Sequence, residues 1–337
     1  MSTANYEQDK ILRKGVIHIM NQARTAPRAR RIGVLLVCAV LLSSFTGCEK
    51  GPNLNQESLG IIKHRDQRWF YELTRNSSPS EEFYPDWGKG VRVAVIDTGF
   101  DLTHPDLSRA DITLKEIGQN PVELPRALDH GAAILGILCA YPHDETGVLG
   151  LTPSATVLAV SLGLESTGSG EASVAAGAVK EAIEAAVAWK ADIISMSFRL
   201  HTDDPELKAA VDRAFGAGCV LIAADGGGGG GVYYPAAYEN VISVGTLLDG
   251  ANVLGCYNCV LLPADYVVSI SASAMPEAYG SFTGSSMAAP MMAGMVAIEL
   301  QNFPERTNEQ ILEVCKTLYD KPGTTLDGFI NLCSQYP

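Results

Sequence analysis

Basic residues are scarce in this sequence. The 337 residues hold 25 Lys and Arg against 38 Asp and Glu, a formal net charge of −13, with a sequence pI near 4.9. Phosphate recognition relies on clustered Lys and Arg, so no nucleic-acid partner is expected. Fixed-period self-similarity is missing too, which excludes a solenoid or propeller. The apolar run Ile32–Ser44 has 13 residues, short of the roughly 20 that a comfortable membrane-spanning helix needs. No Pro/Ser-rich linker interrupts residues 91–332, so that stretch reads as one large domain although the length alone permits two. Eight cysteines are too few for a disulfide scaffold of this length. The single CxxC, Cys256 to Cys259, has no His nearby; a local disulfide is expected there rather than a zinc site. What the chain does hold is apolar material: 47% hydrophobic residues, enough for a buried core and too many for a disordered chain.

The N-terminal region has a layout of its own. Residues 24–31 read RTAPRARR without an acid, the apolar run follows, and Phe45-Thr46-Gly47-Cys48 closes it. Basic, apolar and then small residues is the layout of a secretory signal. The closing segment resembles the lipobox of bacterial lipoproteins, with Phe45 where that group usually has Leu. The resemblance implies acylation at Cys48, a membrane contact through the lipid anchor only, and an exported protein at the periplasmic or cell surface. An ordinary cleaved signal with an incidental Cys48 is the alternative. Residues 1–19 carry no signal features, and Met20 is the expected start. Seven basic and two acidic residues fall in 1–47, so the rest of the chain carries 18 basic against 36 acidic, a charge of −18. Residues 48–90 read as a polar tether and a lead-in to the core.

From residue 91 the pattern is α/β. Val91–Asp97 is a short Val- and Ile-rich run of the kind that forms a buried parallel strand. Thr156–Ser161, Asp192–Met196, Cys219–Ala224 and Val241–Val244 repeat it. Helical stretches are expected over Gly131–Ala140, Ala172–Trp189 and Pro205–Ala217. The alternation predicts a mostly parallel sheet covered by helices on both faces.

Reactive groups in such sheets lie at the carboxyl ends of strands. Asp97 ends the first strand, His130 sits at the expected start of an apolar helix, and Ser286 lies where a Gly-rich turn becomes a small-residue helix. Taken singly, each has a bland reading: a turn former, a structural imidazole, an N-cap. Their order, Asp then His then Ser, matches the subtilisin arrangement of a nucleophilic triad. The surrounding text agrees. VAVIDTGFDLTHPDL around Asp97, DHGAAILG around His130 and GSSMAAPMMAG around Ser286 resemble the three signatures of the subtilisin-like serine proteases. LDGFINL near the C-terminus looks like that family's closing strand. The resemblance spans about residues 85–333 and implies a three-layer α/β fold. It also implies Ser286 as nucleophile, His130 as general base, Asp97 as its orienting partner, a polypeptide substrate, a monomer and no catalytic cofactor. Pro290 is expected in the first turn of the Ser286 helix, where its missing N–H costs nothing.

The departures are as specific as the matches. His130 is followed by Gly131-Ala132-Ala133 where the family has Gly-Thr-His. Asp225 stands at the family's Gly, and Gly226, opening a run of six glycines, at the position of its oxyanion Asn. Loss of one such donor costs about 10²–10³ in turnover, so a catalytically impaired peptide-binding relative is the alternative reading. Gly168, Ser169 and Gly170 lie in a segment resembling the edge that pairs with an extended substrate. Ser197, Phe198 and Arg199 fall beside the primary specificity pocket, and Tyr233 falls on its floor. A narrowed pocket for small side chains follows, with Arg199 available to an acidic group. Pro142–Pro153 resembles the family's calcium loop, with Asp106 and Asp144 as ligands and carbonyls of Pro142, Thr146 and Val148 completing the shell. A solvated acidic loop is the alternative. Cys139 and Cys219 are expected free and buried, and Cys315 and Cys333 are expected to form a bridge.

Overall fold

Runs of four to eight Val-, Ile- and Ala-rich residues are too short for buried helices, and here they assemble into a central sheet. The structure is a computed structural model. It describes residues 49–50, 67–74, 86–118, 125–143, 147–166, 172–226, 231–248, 251–252, 258–272 and 278–335. In chain order the elements are β1 (Glu49–Lys50), α1 (Arg68–Thr74), β2 (Arg92–Asp97), a 3-10 turn (Pro105–Leu107), β3 (Asp111–Ile117), α2 (Pro125–Cys139), β4 (Thr156–Leu162), β5 (Leu164–Ser166), β6 (Ala172–Val174), α3 (Ala176–Ala188), β7 (Ile193–Met196), α4 (Pro205–Gly216), β8 (Val220–Ala224), β9 (Val241–Leu248), β10 (Ala251–Asn252), β11 (Val260–Leu262), β12 (Val267–Ile270), β13 (Tyr279–Thr283), α5 (Ser285–Asn302), α6 (Asn308–Leu318) and α7 (Leu326–Cys333).

The large sheet runs β9-β8-β7-β2-β4-β3, with β11 and β10 both against the outer side of β9. All its pairings are parallel except β10 with β9. Alternate residues of each strand enter opposite cores, as the period of two demands. Val93 and Val95 of β2 join the buried faces of α1, α2, α5, α6 and α7. Ala94 and Ile96 join those of α3 and α4 on the other side. This is the expected three-layer α/β architecture. All described residues belong to the unit Thr46–Pro337.

Local chemistry explains the helix ends. Asp204 caps α4 by accepting from the Glu206 and Leu207 N–H groups, and Pro205 takes the first helical position. Thr307 and Gln310 form a capping box on α6. At seven residues α1 is too short to hold alone. It is pinned by buried Trp69, Phe70 and Leu73, each contributing about 1.5–3 kcal/mol of transfer free energy. Gln67 adds a two-way bond with the backbone of Leu149 (3.0 and 2.8 Å).

Four expectations are corrected. The helix carrying His130 begins at Pro125, so His130 is its sixth residue rather than its start. Ala172–Val174 is strand, paired with β5 in a hairpin, and the following helix begins only at Ala176. LDGFINL is helical: Thr325 caps it through the Gly328 N–H, and Leu326, Phe329 and Cys333 turn to the core at helical spacing. Cys315 and Cys333 are free, buried thiols rather than a bridge, and burial pushes the Cys333 thiol up to about 12. Cys139 and Cys219 are free and buried, and burial pushes the Cys139 thiol up to about 12. Cys259 is disulfide-bonded, and its expected partner Cys256 lies outside the described residues.

Candidate active site

Asp97 is the last residue of β2 and is 1% exposed. Its Oδ1 accepts from the Thr98 backbone N–H (2.7 Å) and hydroxyl (3.2 Å) and faces Nδ1 of His130 at 3.0 Å. A carboxylate on Nδ1 holds the proton there and leaves Nε2 as the basic nitrogen. Gly131 makes this contact possible. A Cβ at that position would stand 1.8 Å from the Gly99 carbonyl oxygen, so only glycine lets α2 press directly onto the turn after β2.

Ser286 is the second residue of α5, a helix buried continuously from Ser285 to Glu299. Its N-cap, Gly284, has φ 140 and ψ 167, a conformation for glycine. The N–H groups of the first turn have no partner within the helix, and the helix dipole adds partial positive charge there. Pro290 is the sixth residue of α5, not part of its first turn as expected. It therefore withdraws a donor from the carbonyl four residues back, that of Ser286. Ser197 supplies the replacement: its Oγ donates to the Ser286 carbonyl at 2.9 Å, and the Ser286 Oγ donates to the Ser197 carbonyl at 3.0 Å. The Ser286 hydroxyl is thus committed to Ser197 rather than to the imidazole. Asp97 and His130 are in direct contact, and Ser286 is carried on α5, which packs against α2 in the same core.

The segment after β7 alternates. Ser197 and Arg199 lie on one side; Phe198, expected among the substrate contacts, turns the other way and is 3% exposed in the core with α3 and α4. Leu200 and Tyr234 exchange backbone hydrogen bonds (2.7 and 2.9 Å), fixing this segment beside the chain that follows the glycine run. The Arg199 guanidinium lies 4.8 Å from the centre of the Tyr233 ring and donates to the Gly226 carbonyl. Gly226 has φ +89, and a Cβ there would meet Tyr233 Cδ2 at 2.7 Å and Arg199 Cδ at 2.9 Å. Arg199 and Tyr233 fill the space that a side chain at 226 would take.

Asp106 is fully buried, and its carboxylate is already saturated. Oδ1 accepts from the His143 N–H (3.2 Å) and meets its Nδ1 (3.0 Å); Oδ2 accepts from the Val148 N–H (2.9 Å) and the Tyr279 hydroxyl (3.0 Å). A carboxylate offers about four lone-pair directions, and donors occupy all of them. These residues do not fit calcium at Asp106. Nothing in the sequence marks His143 and Tyr279 as its partners; Tyr279 lies 173 residues away. Among the described residues no group of three His, Cys, Asp or Glu side chains could hold a metal ion. Asp144, Gly168, Ser169, Gly170 and Cys48 lie outside the described residues.

Residues 88–324 match the family model described as subtilase family, Peptidase S8. The chain belongs to the subtilase family. Subtilases are serine-type endopeptidases that need no catalytic cofactor. This subtilase is 34% identical over 274 residues to subtilisin of Bacillus pumilus, covering 78% of its own chain and 96% of that protein. It is likewise 34% identical to subtilisin NAT of Bacillus subtilis subsp. natto over 250 residues, 72% of its own chain. It spans 63% of the length of that relative. Fervidolysin from Fervidobacterium pennivorans, a keratinolytic enzyme related to subtilisin, superposes with a TM-score of 0.67 at 23% identity over 84% of this chain and 48% of that one. The protease domain of PatA gives 0.63 at 20% identity, over 76% and 98%. These two solved structures bear out the fold.

Proposed function

We propose that this subtilase hydrolyses peptide bonds through a Ser286 acyl-enzyme, with His130 as general base and Asp97 as its orienting partner. The buried Asp97–His130 contact at 3.0 Å carries the reading. Ser286 Oγ attacks the scissile carbonyl carbon, its proton passes to His130 Nε2, and the carbonyl π pair moves onto oxygen. The proton then goes to the leaving amine, and water repeats the sequence to release the acid. To react, the Ser286 hydroxyl rotates off the Ser197 carbonyl toward the imidazole. Tyr233 and Arg199 narrow the pocket beside it, which favours small side chains in the substrate. The basic–apolar–Cys48 layout supports export and lipid anchoring of the enzyme.

Labelling with a fluorophosphonate probe tests the reading. Wild type is expected to label and Ser286→Ala not to. Absence of Ser286-dependent labelling sinks the protease reading and leaves a peptide-binding relative.

A further inference from the structure

A tetrahedral intermediate at Ser286 places a full negative charge on the former carbonyl oxygen, and that charge needs preorganised donors. One is on hand: the N–H of Ser286, in the first turn of α5 and without an intrahelical partner. The second donor of the family's arrangement falls two residues after β8, where residue 226 is glycine and carries no side chain. Its φ of +89 and the crowding around a Cβ there disfavour a side chain, so position 226 offers no side-chain donor.

The space beyond Gly226 is nevertheless filled, and by a cation. Arg199 Cδ stands 2.9 Å from where a Cβ of residue 226 would be, and its guanidinium is held by the Gly226 carbonyl and the Tyr233 ring. Among the described residues Arg199 makes no ion pair; the contacts of its guanidinium are the Gly226 carbonyl and the Tyr233 ring. It is also only two residues from Ser197, whose carbonyl is 3.0 Å from the Ser286 hydroxyl. At about 3.3 Å per extended residue, a flexible arginine spans that gap. A guanidinium has five N–H donors. One bond to Gly226 leaves others for a developing oxyanion.

We propose that Arg199 is a catalytic residue that stabilises the oxyanion, supplying from a neighbouring segment the donor that Gly226 lacks. No bond to Arg199 forms or breaks; it meets the charge created when Ser286 adds to the carbonyl. The proposal rests on the protease reading above and replaces recognition of an acidic side chain as the role of Arg199.

Steady-state kinetics on Arg199→Ala and Arg199→Lys test it, using peptides with Ala, Gln or Glu before the scissile bond. Arg199→Ala should lose about 10²-fold in kcat on all three with KM within about threefold. Arg199→Lys should keep part of the activity, and free guanidinium ion at tens of millimolar should partly restore Arg199→Ala. Unchanged thermal melting of Arg199→Lys guards against a folding defect. A loss confined to the Glu peptide, a KM-only effect, or no rescue by guanidinium overturns the proposal while the protease reading stands. A wild type without Ser286-dependent labelling overturns both.

Discussion

A single proline imposes an unusual duty on Ser197. Pro290 leaves the Ser286 carbonyl without its helical donor, inside a helix that has no water-facing side over that stretch. The Ser197 hydroxyl fills that gap, and the Ser197 carbonyl accepts a hydrogen bond from the Ser286 hydroxyl in return. Ser197→Ala should therefore destabilise the protein by about 1–3 kcal/mol, the cost of an unsatisfied buried carbonyl, and lower turnover by loosening the start of α5. Urea unfolding together with probe-labelling rates checks this; unchanged stability would show that the carbonyl finds another donor. Asp97, His130 and Ser286 were legible as candidates from three local motifs, and the structure brings Asp97 and His130 into contact. The Ser197–Ser286 exchange was not, because it joins residues 89 apart whose only clue is a proline four positions downstream of one of them. Gly131 was legible as part of a motif, though its reason, that a Cβ there would stand 1.8 Å from the Gly99 carbonyl oxygen, is a fact of packing.

Elements were legible where burial was uniform. β2, β4, β7 and β8 begin and end within a residue or so of their expected bounds, because continuous Val/Ile runs leave one solution. Elements that depend on a neighbour were not. The β5–β6 hairpin borrows residues that look helical by composition, and α7 follows the 326, 329, 333 spacing once Thr325 caps it. The loop after α2 is the clearest case. Its acidic, carbonyl-rich text suggests a cation, yet Asp106 is held by imidazole, phenol and amide donors. Gly147 lets the carboxylate lie close, with φ +135 and a Cβ position 2.8 Å from Oδ2. Tyr279→Phe removes one of the four donors and should cost about 1.5–3 kcal/mol, the range for hydrogen bonds to charged groups. Chelator should leave the wild-type melting temperature unchanged. A chelator-dependent fall in melting temperature that Asp106→Asn abolishes would place a cation at Asp106 after all.

At the scale of the whole molecule, Glu299 ties the end of α5 and the segment that follows it to pH. It is fully buried near the end of α5, accepts from Arg306 Nε at 3.2 Å, and its pKa is raised above the ordinary 4.5, chiefly by burial. The folded state therefore keeps this proton at pH values where the unfolded chain has released it. The stability this confers is full below 4.5 and is lost as pH rises through the raised value. Glu299→Gln, which imitates the protonated side chain, should gain stability relative to wild type across that window. Thermal melts from pH 4 to pH 8 read the difference, and parallel curves would contradict the assignment.

The sheet also works as a partition. The helices that carry His130 and Ser286 press on one of its faces, and α3 and α4 press on the other, with separate sets of interlocking side chains. A volume change under α3 or α4 reaches the candidate site chiefly through Phe198 and Leu200, which lie in that far core beside Ser197 and Arg199, so positions of α3 and α4 away from these two are the ones least coupled to it. Substitutions that harden the far layer can thus raise heat resistance without the usual sacrifice of turnover. That layer is where directed evolution of a hardier variant should begin.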